Sequence, residues 1–262
     1  MQKFFTDQIG QVIQLAQTPQ RIISLVPSQT ELLCDLGLAD KIVGITRFCV
    51  HPKSKYLSSQ RIGGTKNLDF DKIAALQPDL ILGNKEENER IQIEKLKEHF
   101  TVWMSDIFTL KDALEMIVRV SDMLEVQAKG NEIIDEIKTE FSQLLKFEQP
   151  KSVAYFIWKK PYMLAGKNTF IDDMLQQMGL INCTDELRYP LVTLDQLKAL
   201  NPDVIFLSSE PYPFKVRDFD DFKKALPNAV ISIVDGEMFS WYGSRLIHST
   251  TYFNSLIKEL NI

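Results

Sequence analysis

The chain carries the same short passage twice. Asp71-Lys72-Ile73-Ala74-Ala75-Leu76-Gln77-Pro78-Asp79-Leu80-Ile81 recurs as Asp195-Gln196-Leu197-Lys198-Ala199-Leu200-Asn201-Pro202-Asp203-Val204-Ile205, at one constant offset. Each copy reads as a short helix, a Gln/Asn-Pro-Asp turn that ends it, and a buried strand, because the residue before a proline is pushed out of the helical region. A single copy would be a common α/β connection. Two copies, each followed by a similar length of chain, predict two similar α/β lobes with a central sheet each. Two lobes imply a cleft for a ligand. The length of 262 residues holds two such domains.

The segments between the repeats fit that plan. Residues 5–15 read as a polar hairpin turning at Ile9-Gly10-Gln11. Arg21 to Val26 is a buried strand, and Ser28 with Glu31 has the spacing of a capping box for a helix ending near Gly37. Strands are expected at Ile42–Thr46, Leu80–Leu82 and Thr101–Met104. Between the lobes, Ala113, Leu114, Ile117, Val120 and Leu124, then Ile133, Ile134, Ile137, Phe141, Leu144 and Leu145, keep helical spacing. Two helices follow, the second long, and a helical connector is stiff. The expected division is therefore 1–108, a connecting segment 109–148, and 149–262. In the second lobe Ser152 to Ile157 is a strand, and Thr169 with Asp172 caps a helix ending at Gly179. Ala229 to Val234 is another strand, and Ser244 to Ile262 a closing helix.

Composition removes several function classes. A net charge of −5, with no run of Lys or Arg, opposes a nucleic-acid partner. Cys34, Cys49 and Cys183 form no C-x-x-C pair. No stretch has the eighteen apolar residues of a membrane span, so no insertion is expected. The first residues lack the apolar core of a signal peptide, which places the protein in the cytoplasm unless a signal was removed, and in the periplasm or at the cell surface if it was. G-x-S-x-G, P-loop, G-x-G-x-x-G and H-E-x-x-H motifs are absent. His51 and His248 with Glu210 or Glu237 are the only metal set worth weighing, and two unrelated polar residues is the favoured reading.

Val26-Pro27-Ser28-Gln29-Thr30-Glu31, the paired Pro-Asp segments and the long central helix together resemble the substrate-binding proteins of ABC importers for vitamin B12, haem and ferric siderophores. The resemblance spans nearly the whole chain. It implies a class III periplasmic-binding-protein fold, two α/β lobes joined by one long backbone helix, and a non-enzymatic monomer without a cofactor. Its partners would be a metal-chelate ligand and an ABC permease. An acidic residue at the start of each repeat helix docks onto permease arginines in that family, which here gives Asp71 and Asp195. The pocket aromatics of the vitamin B12 binders fall by position on Phe48, Thr65 or Lys66, Asn84 or Lys85, Met163 and Tyr189. Several are therefore replaced by charged or polar residues, which favours a ligand with charges of its own.

Two further groups of residues point the same way on chemistry alone. Trp241 and Tyr242 follow a strand end and can stack on a planar macrocycle, while Arg245 can hold a carboxylate with two hydrogen bonds. Trp158 ends another strand of that lobe. The ligand set read from the sequence is thus Phe48, Lys66, Lys85, Trp158, Met163, Tyr189, Trp241, Tyr242 and Arg245. Two other functions stay open: a cytoplasmic ligand sensor or carrier of the same fold, and, with less support, an enzyme of the cleft using His51 and Cys49.

Overall fold

The computed structural model describes residues 2–260. The chain divides into two compact units: Met1–Ile107 with Lys111–Lys138 and Tyr242–Ile247, and Phe108–Leu110 with Thr139–Trp241 and His248–Ile262. The sequence divided the chain at 108 and 148 and kept residues 242–247 with the second lobe; here that segment belongs to the first unit.

The first unit opens with an antiparallel hairpin, β1 (Lys3–Thr6) and β2 (Val12–Leu15). There follow β3 (Ile22–Ser24), α1 (Pro27–Asp35), β4 (Ile42–Ile45), α2 (Lys53–Ser58), β5 (Gln60–Arg61), β6 (Gly63–Gly64) and β7 (Asn67–Leu68). The first repeat copy is α3 (Phe70–Leu76) and β8 (Leu80–Asn84), followed by α4 (Arg90–Lys97), β9 (Val102–Ser105), α5 (Leu110–Met123) and α6 (Gln127–Ser142). The central sheet is parallel throughout, in the order β5-β4-β3-β8-β9. Its strands are apolar on both faces, as a sheet covered on both sides requires.

The second unit contains β10 (Lys151–Trp158), β11 (Met163–Leu164), α7 (Phe170–Gln177) and β12 (Leu180–Asn182). The second repeat copy is α8 (Leu194–Leu200) and β13 (Val204–Ser208), followed by α9 (Phe219–Ala225), β14 (Val230–Val234), α10 (Gly236–Ser240) and α11 (Leu246–Leu260). In this sheet β12 and β13 flank β10 in parallel and β14 lies beyond β13, with β11 antiparallel on β10. The order β12-β10-β13-β14 repeats β4-β3-β8-β9, so the two units share one topology. One core of this unit gathers Ala154, Phe156, Leu164, Leu197, Ile205, Leu207, Phe214 and Phe222.

Both repeat copies end alike. Asp69 caps α3 by accepting from Lys72 N, and Thr193 caps α8 by accepting from Gln196 N in a capping box. Each helix stops on a left-handed residue, Gln77 at φ 45° and Asn201 at φ 44°. The aspartate after each proline then ties down the start of β3 in the first unit and of β10 in the second. Asp79 accepts from Gln20 N at 2.7 Å and Arg21 N at 2.9 Å. Asp203 accepts from Ser152 N and Ser152 Oγ, both at 2.8 Å.

Two expectations are corrected. Ser28 does not cap α1: the helix begins at Pro27, whose fixed φ suits the first helical position, the N-cap is Val26, and no side chain caps it. The closing helix starts at Leu246, not Ser244, and its last expected residues, 261 and 262, lie outside the described residues. Gly130 lets α6 approach α5, since a Cβ there would sit 2.3 Å from Ser121 Oγ. Short elements α2, α4, α9, α10, β11 and β12 are too brief to carry a period.

The hydrogen bonds to Ser152 hold the Asp203 carboxyl below its usual range. Asp203→Ala should therefore lower unfolding free energy by about 1 kcal/mol at neutral pH, the worth of one such charge-assisted contact on an exposed site. A depressed carboxylate stabilises above its unfolded pKa and loses that contribution as pH falls through the folded one. The gap between variant and parent in urea titrations should accordingly close in acid.

Candidate functional site

In each unit the loops following the parallel strands carry most of the candidate residues, the end where open α/β sheets place ligands. In the first unit, a buried polar network shapes that end. Gln29 Nε2 donates to Ser105 Oγ at 2.8 Å and to Gly83 O, and Asn84 Nδ2 donates to Ser105 Oγ at 3.0 Å. Asn84 Oδ1 accepts from the backbone N–H groups of Glu86 and Glu87, while Asn88 Oδ1 accepts from Asn84 N. Residues 84–88 are thus clasped by two asparagine side chains. The four-residue spacing of these asparagines is the signal that would have revealed it.

That clasp sets Glu87, which accepts from Tyr242 Oη at 2.9 Å. Close by in the chain, Arg245 Nε and Nη2 donate to the two oxygens of Glu31 at 2.8 and 2.7 Å, a bidentate pair. Gly243 lies between them at φ 124°, and a Cβ there would stand 3.2 Å from Ser28 O. A glycine is what allows the backbone so near α1. Tyr242 is only 5% exposed, and burial with the neighbouring Glu87 carboxylate raises its hydroxyl well above the ordinary value, so it stays a donor. The sequence pictured Tyr242 as an open stacking face and Arg245 as a free carboxylate clamp; both are engaged with protein carboxylates.

Other candidates of this unit are open. Phe48 is 47% exposed with the Arg47 guanidinium 5.0 Å from its ring centre. Lys66 is exposed on the turn between β6 and β7. Lys85 is exposed but pairs with Asp106 at 2.6 Å. Cys49 is wholly buried, with its sulfur 3.1 Å from Thr46 Oγ1, and burial pushes the thiol up to about 11. It is no thiolate at neutral pH, which removes the physical basis for a Cys49 nucleophile.

In the second unit, Trp158 is 40% exposed at the end of β10, with the Tyr212 ring edge-on at 5.9 Å. Met163 pairs with it across the β10–β11 ladder. Tyr189 is half-buried, and the Arg188 guanidinium stands 5.7 Å from its ring centre. Lys159 is held by Asp218 at 2.8 Å and Asp221 at 3.4 Å.

Beyond β13 and β14 a cavity of about 530 Å³ is lined by Ser209, Glu210, Ile233, Val234, Asp235 and Glu237. Glu210 accepts from Ser240 Oγ at 3.0 Å and Trp241 Nε1 at 2.9 Å. Trp241 is 6% exposed, so its indole is a tethered framework group and not an open platform. Burial pushes the Glu210 carboxyl up, and the carboxylates of Glu237 and Asp235 add to the effect. Among the described residues no three His, Cys, Asp or Glu side chains gather as metal ligands.

Asp71 and Asp195 are both exposed in the first turn of α3 and α8. Neither is the N-cap, since Asp69 and Thr193 fill that position, but both lie in the first turn, where a carboxylate favours the helix dipole. Asp195 makes an exposed pair with Lys198 at 3.1 Å.

A family described as periplasmic binding protein matches residues 22–232. An uncharacterised ABC-transporter substrate-binding lipoprotein of Bacillus subtilis is 24% identical over 92% of this chain and 81% of its own. The vitamin B12-binding protein of Vibrio parahaemolyticus is 28% identical over 72% of this chain and 70% of its own. In structure, a possible iron-binding periplasmic solute-binding protein of Staphylococcus epidermidis superposes with a TM-score of 0.78 at 23% identity, covering 94% of this chain and all of that one.

Glu210→Gln should keep the Oε1 oxygen that accepts from both Ser240 Oγ and Trp241 Nε1 and remove a buried charge. A carboxyl raised by folding destabilises the folded state above its folded pKa, and the penalty disappears as pH falls through it. The variant should melt higher than its parent at neutral pH, with the difference shrinking toward acid; a constant difference would show that charge is not the cause.

Proposed function

The chain belongs to the periplasmic binding protein family, and on that premise we propose that it is the substrate-binding component of an ABC importer, capturing a metal-chelate ligand and delivering it to a permease. The observation that carries this reading is the pair of exposed aromatic residues at the carboxyl ends of the two sheets, Phe48 after β4 and Trp158 at the end of β10. Exposed rings of this size are ready to stack on a macrocycle or chelate without any rearrangement of a core. Arg47, whose guanidinium lies over the Phe48 ring, and the exposed Lys66 supply positive charge suited to carboxylates on such a ligand. Met163 and Tyr189 flank Trp158 in this reading, with Lys85 a weaker contact because Asp106 already holds it. Trp241, Tyr242 and Arg245 serve by keeping the loops in place.

Export follows from the reading: a protein that feeds an importer works in the periplasm or at the cell surface. No helix among the described residues is long and apolar enough to cross a membrane. Asp71 and Asp195 are the permease contacts, one exposed carboxylate on each unit, the arrangement that suits cationic partners.

Tryptophan fluorescence titrated with cyanocobalamin, haemin and a set of ferric siderophores tests the capture step. One ligand should quench saturably, and Trp158→Phe should abolish most of that response while Trp241→Phe leaves the affinity within about threefold. Absence of saturable quenching by every ligand would sink the reading. Asp71→Ala with Asp195→Ala should leave ligand affinity unchanged and cut ligand-stimulated ATPase activity of the reconstituted permease by about tenfold or more. A fall in ligand affinity would instead place these aspartates in the binding site.

A further inference from the structure

Phe156, Leu164 and Val192 all belong to the buried core of the second unit. A strand alternates its faces, so Met163 and Leu191, the neighbours of Leu164 and Val192, turn the other way. They oppose each other across an antiparallel bridge, flanked by hydrogen bonds from Leu164 N to Pro190 O and from Val192 N to Tyr162 O, both 3.0 Å. In such a pair the opposed side chains stand closest. Trp158 would follow Phe156 into the core if β10 kept its period of two. Instead Phe156 pairs with Leu164 and Trp158 with Met163, so two steps along β10 oppose one along β11. That bulge turns Trp158 onto the face of Met163. Trp158, Met163 and Leu191 thus form one row across three segments, roughly 10 Å from first Cα to last as the sum of two pair spacings. Deeper on this face Tyr155 and Ala165 are wholly buried, with the Phe239 ring 5.1 Å from that of Tyr155. The row itself is open: Trp158 is 40% and Leu191 58% exposed, with Met163 half-buried between them. The Tyr212 ring braces the indole edge-on at 5.9 Å. Lys159, next in the chain, is held by Asp218 and Asp221.

We propose that Leu191 completes an apolar shelf with Met163 and Trp158, and that this shelf takes the flat face of a conjugated-ring ligand. The proposal rests on the capture reading above and narrows its ligand class. Size selects a small molecule, because three side chains fall far short of the roughly 20–30 residues that each side of a protein interface takes. Shape selects a flat one. A level row on one face of a sheet meets a planar ring along its whole length, whereas a globular chelate wrapped around its metal touches it at one point. Chemistry agrees with shape: the row carries no charge, and its one polar group is the indole N–H. A conjugated face stacks on Trp158 and buries Met163 and Leu191, and a ligand with a polar exterior would gain neither contact. Leu191 is ordinary by sequence, and it joins the row because the bridge to Met163 places it there.

Haemin, followed by its own visible absorbance so that no protein fluorophore is the readout, tests the shelf, with ferrioxamine B as the globular comparison. Haemin should bind saturably and at least about tenfold more tightly than ferrioxamine B. Leu191→Ser and Trp158→Ala should each weaken haemin binding by about tenfold, as loss of a partly buried leucine or a stacked ring does. Met163→Leu keeps the shelf apolar and removes the thioether, so it should bind within about threefold of the parent. A much larger loss there would make the sulfur a metal ligand and overturn the shelf. Ile181→Ser changes an exposed side chain opposite Ser152, near the other end of β10, and should bind as the parent does. These side chains can be replaced without opening the core, and equal melting temperatures check folding. Haemin binding that ignores Leu191→Ser and Trp158→Ala, or a preference for ferrioxamine B or cyanocobalamin over haemin, overturns the shelf while the capture reading stands. No saturable binding of any of the three sinks that reading and the shelf with it.

Discussion

The carboxylate after each repeated proline organises the fold. A left-handed residue stops the helix, the proline forbids its continuation, and the aspartate reaches back to the N–H groups at the start of β3 in one unit and β10 in the other. These contacts set the register in which β8 lies beside β3 and β13 beside β10. The remaining strands add outward from those two pairs, and the strand ends that bear the candidate site fall where they do because the starts are pinned.

At the opposite, carboxyl ends the two units solve one problem differently. Strand ends leave N–H and C=O groups without a ladder partner, and a loop must satisfy them. The first unit uses amides: Asn84, Asn88 and Gln29 knit residues 83–88 and Ser105 into a network with little net charge. The second uses a buried carboxylate, Glu210, which collects Trp241 and Ser240 at the cost of a raised pKa. Such a carboxylate holds its loop well but makes it sensitive to pH, whereas the amide network has no proton to gain or lose.

Much of this was legible in the residues. The doubled Pro-Asp passage, the apolar strands beside it and the Thr169 cap of α7 are local patterns, and the structure shows each where the spacing placed it. The site was less legible. Trp241, Tyr242 and Arg245 look like ligand groups by type, yet each has found a protein carboxylate: Glu210, Glu87 and Glu31. Those partners lie from 31 to 214 residues away, a separation no window of sequence surveys. Phe48 and Trp158, candidates by sequence as well, are the ones the fold leaves exposed.

The sequence by itself determined the architecture, because a helix stop, a strand period and a repeated turn are each decided within a few residues by sterics and hydrogen bonding. Only the tertiary structure decided which polar groups are available to a ligand or a surface. Availability is a difference between what a side chain offers and what its distant neighbours have already taken. Arg245 and the lysines of residues 53–55 carry the same charge; one is spent on the half-buried Glu31 carboxylate and, among the described residues, the others form no ion pair. That distinction depends on desolvation and on partners brought together by folding, and no local pattern encodes it.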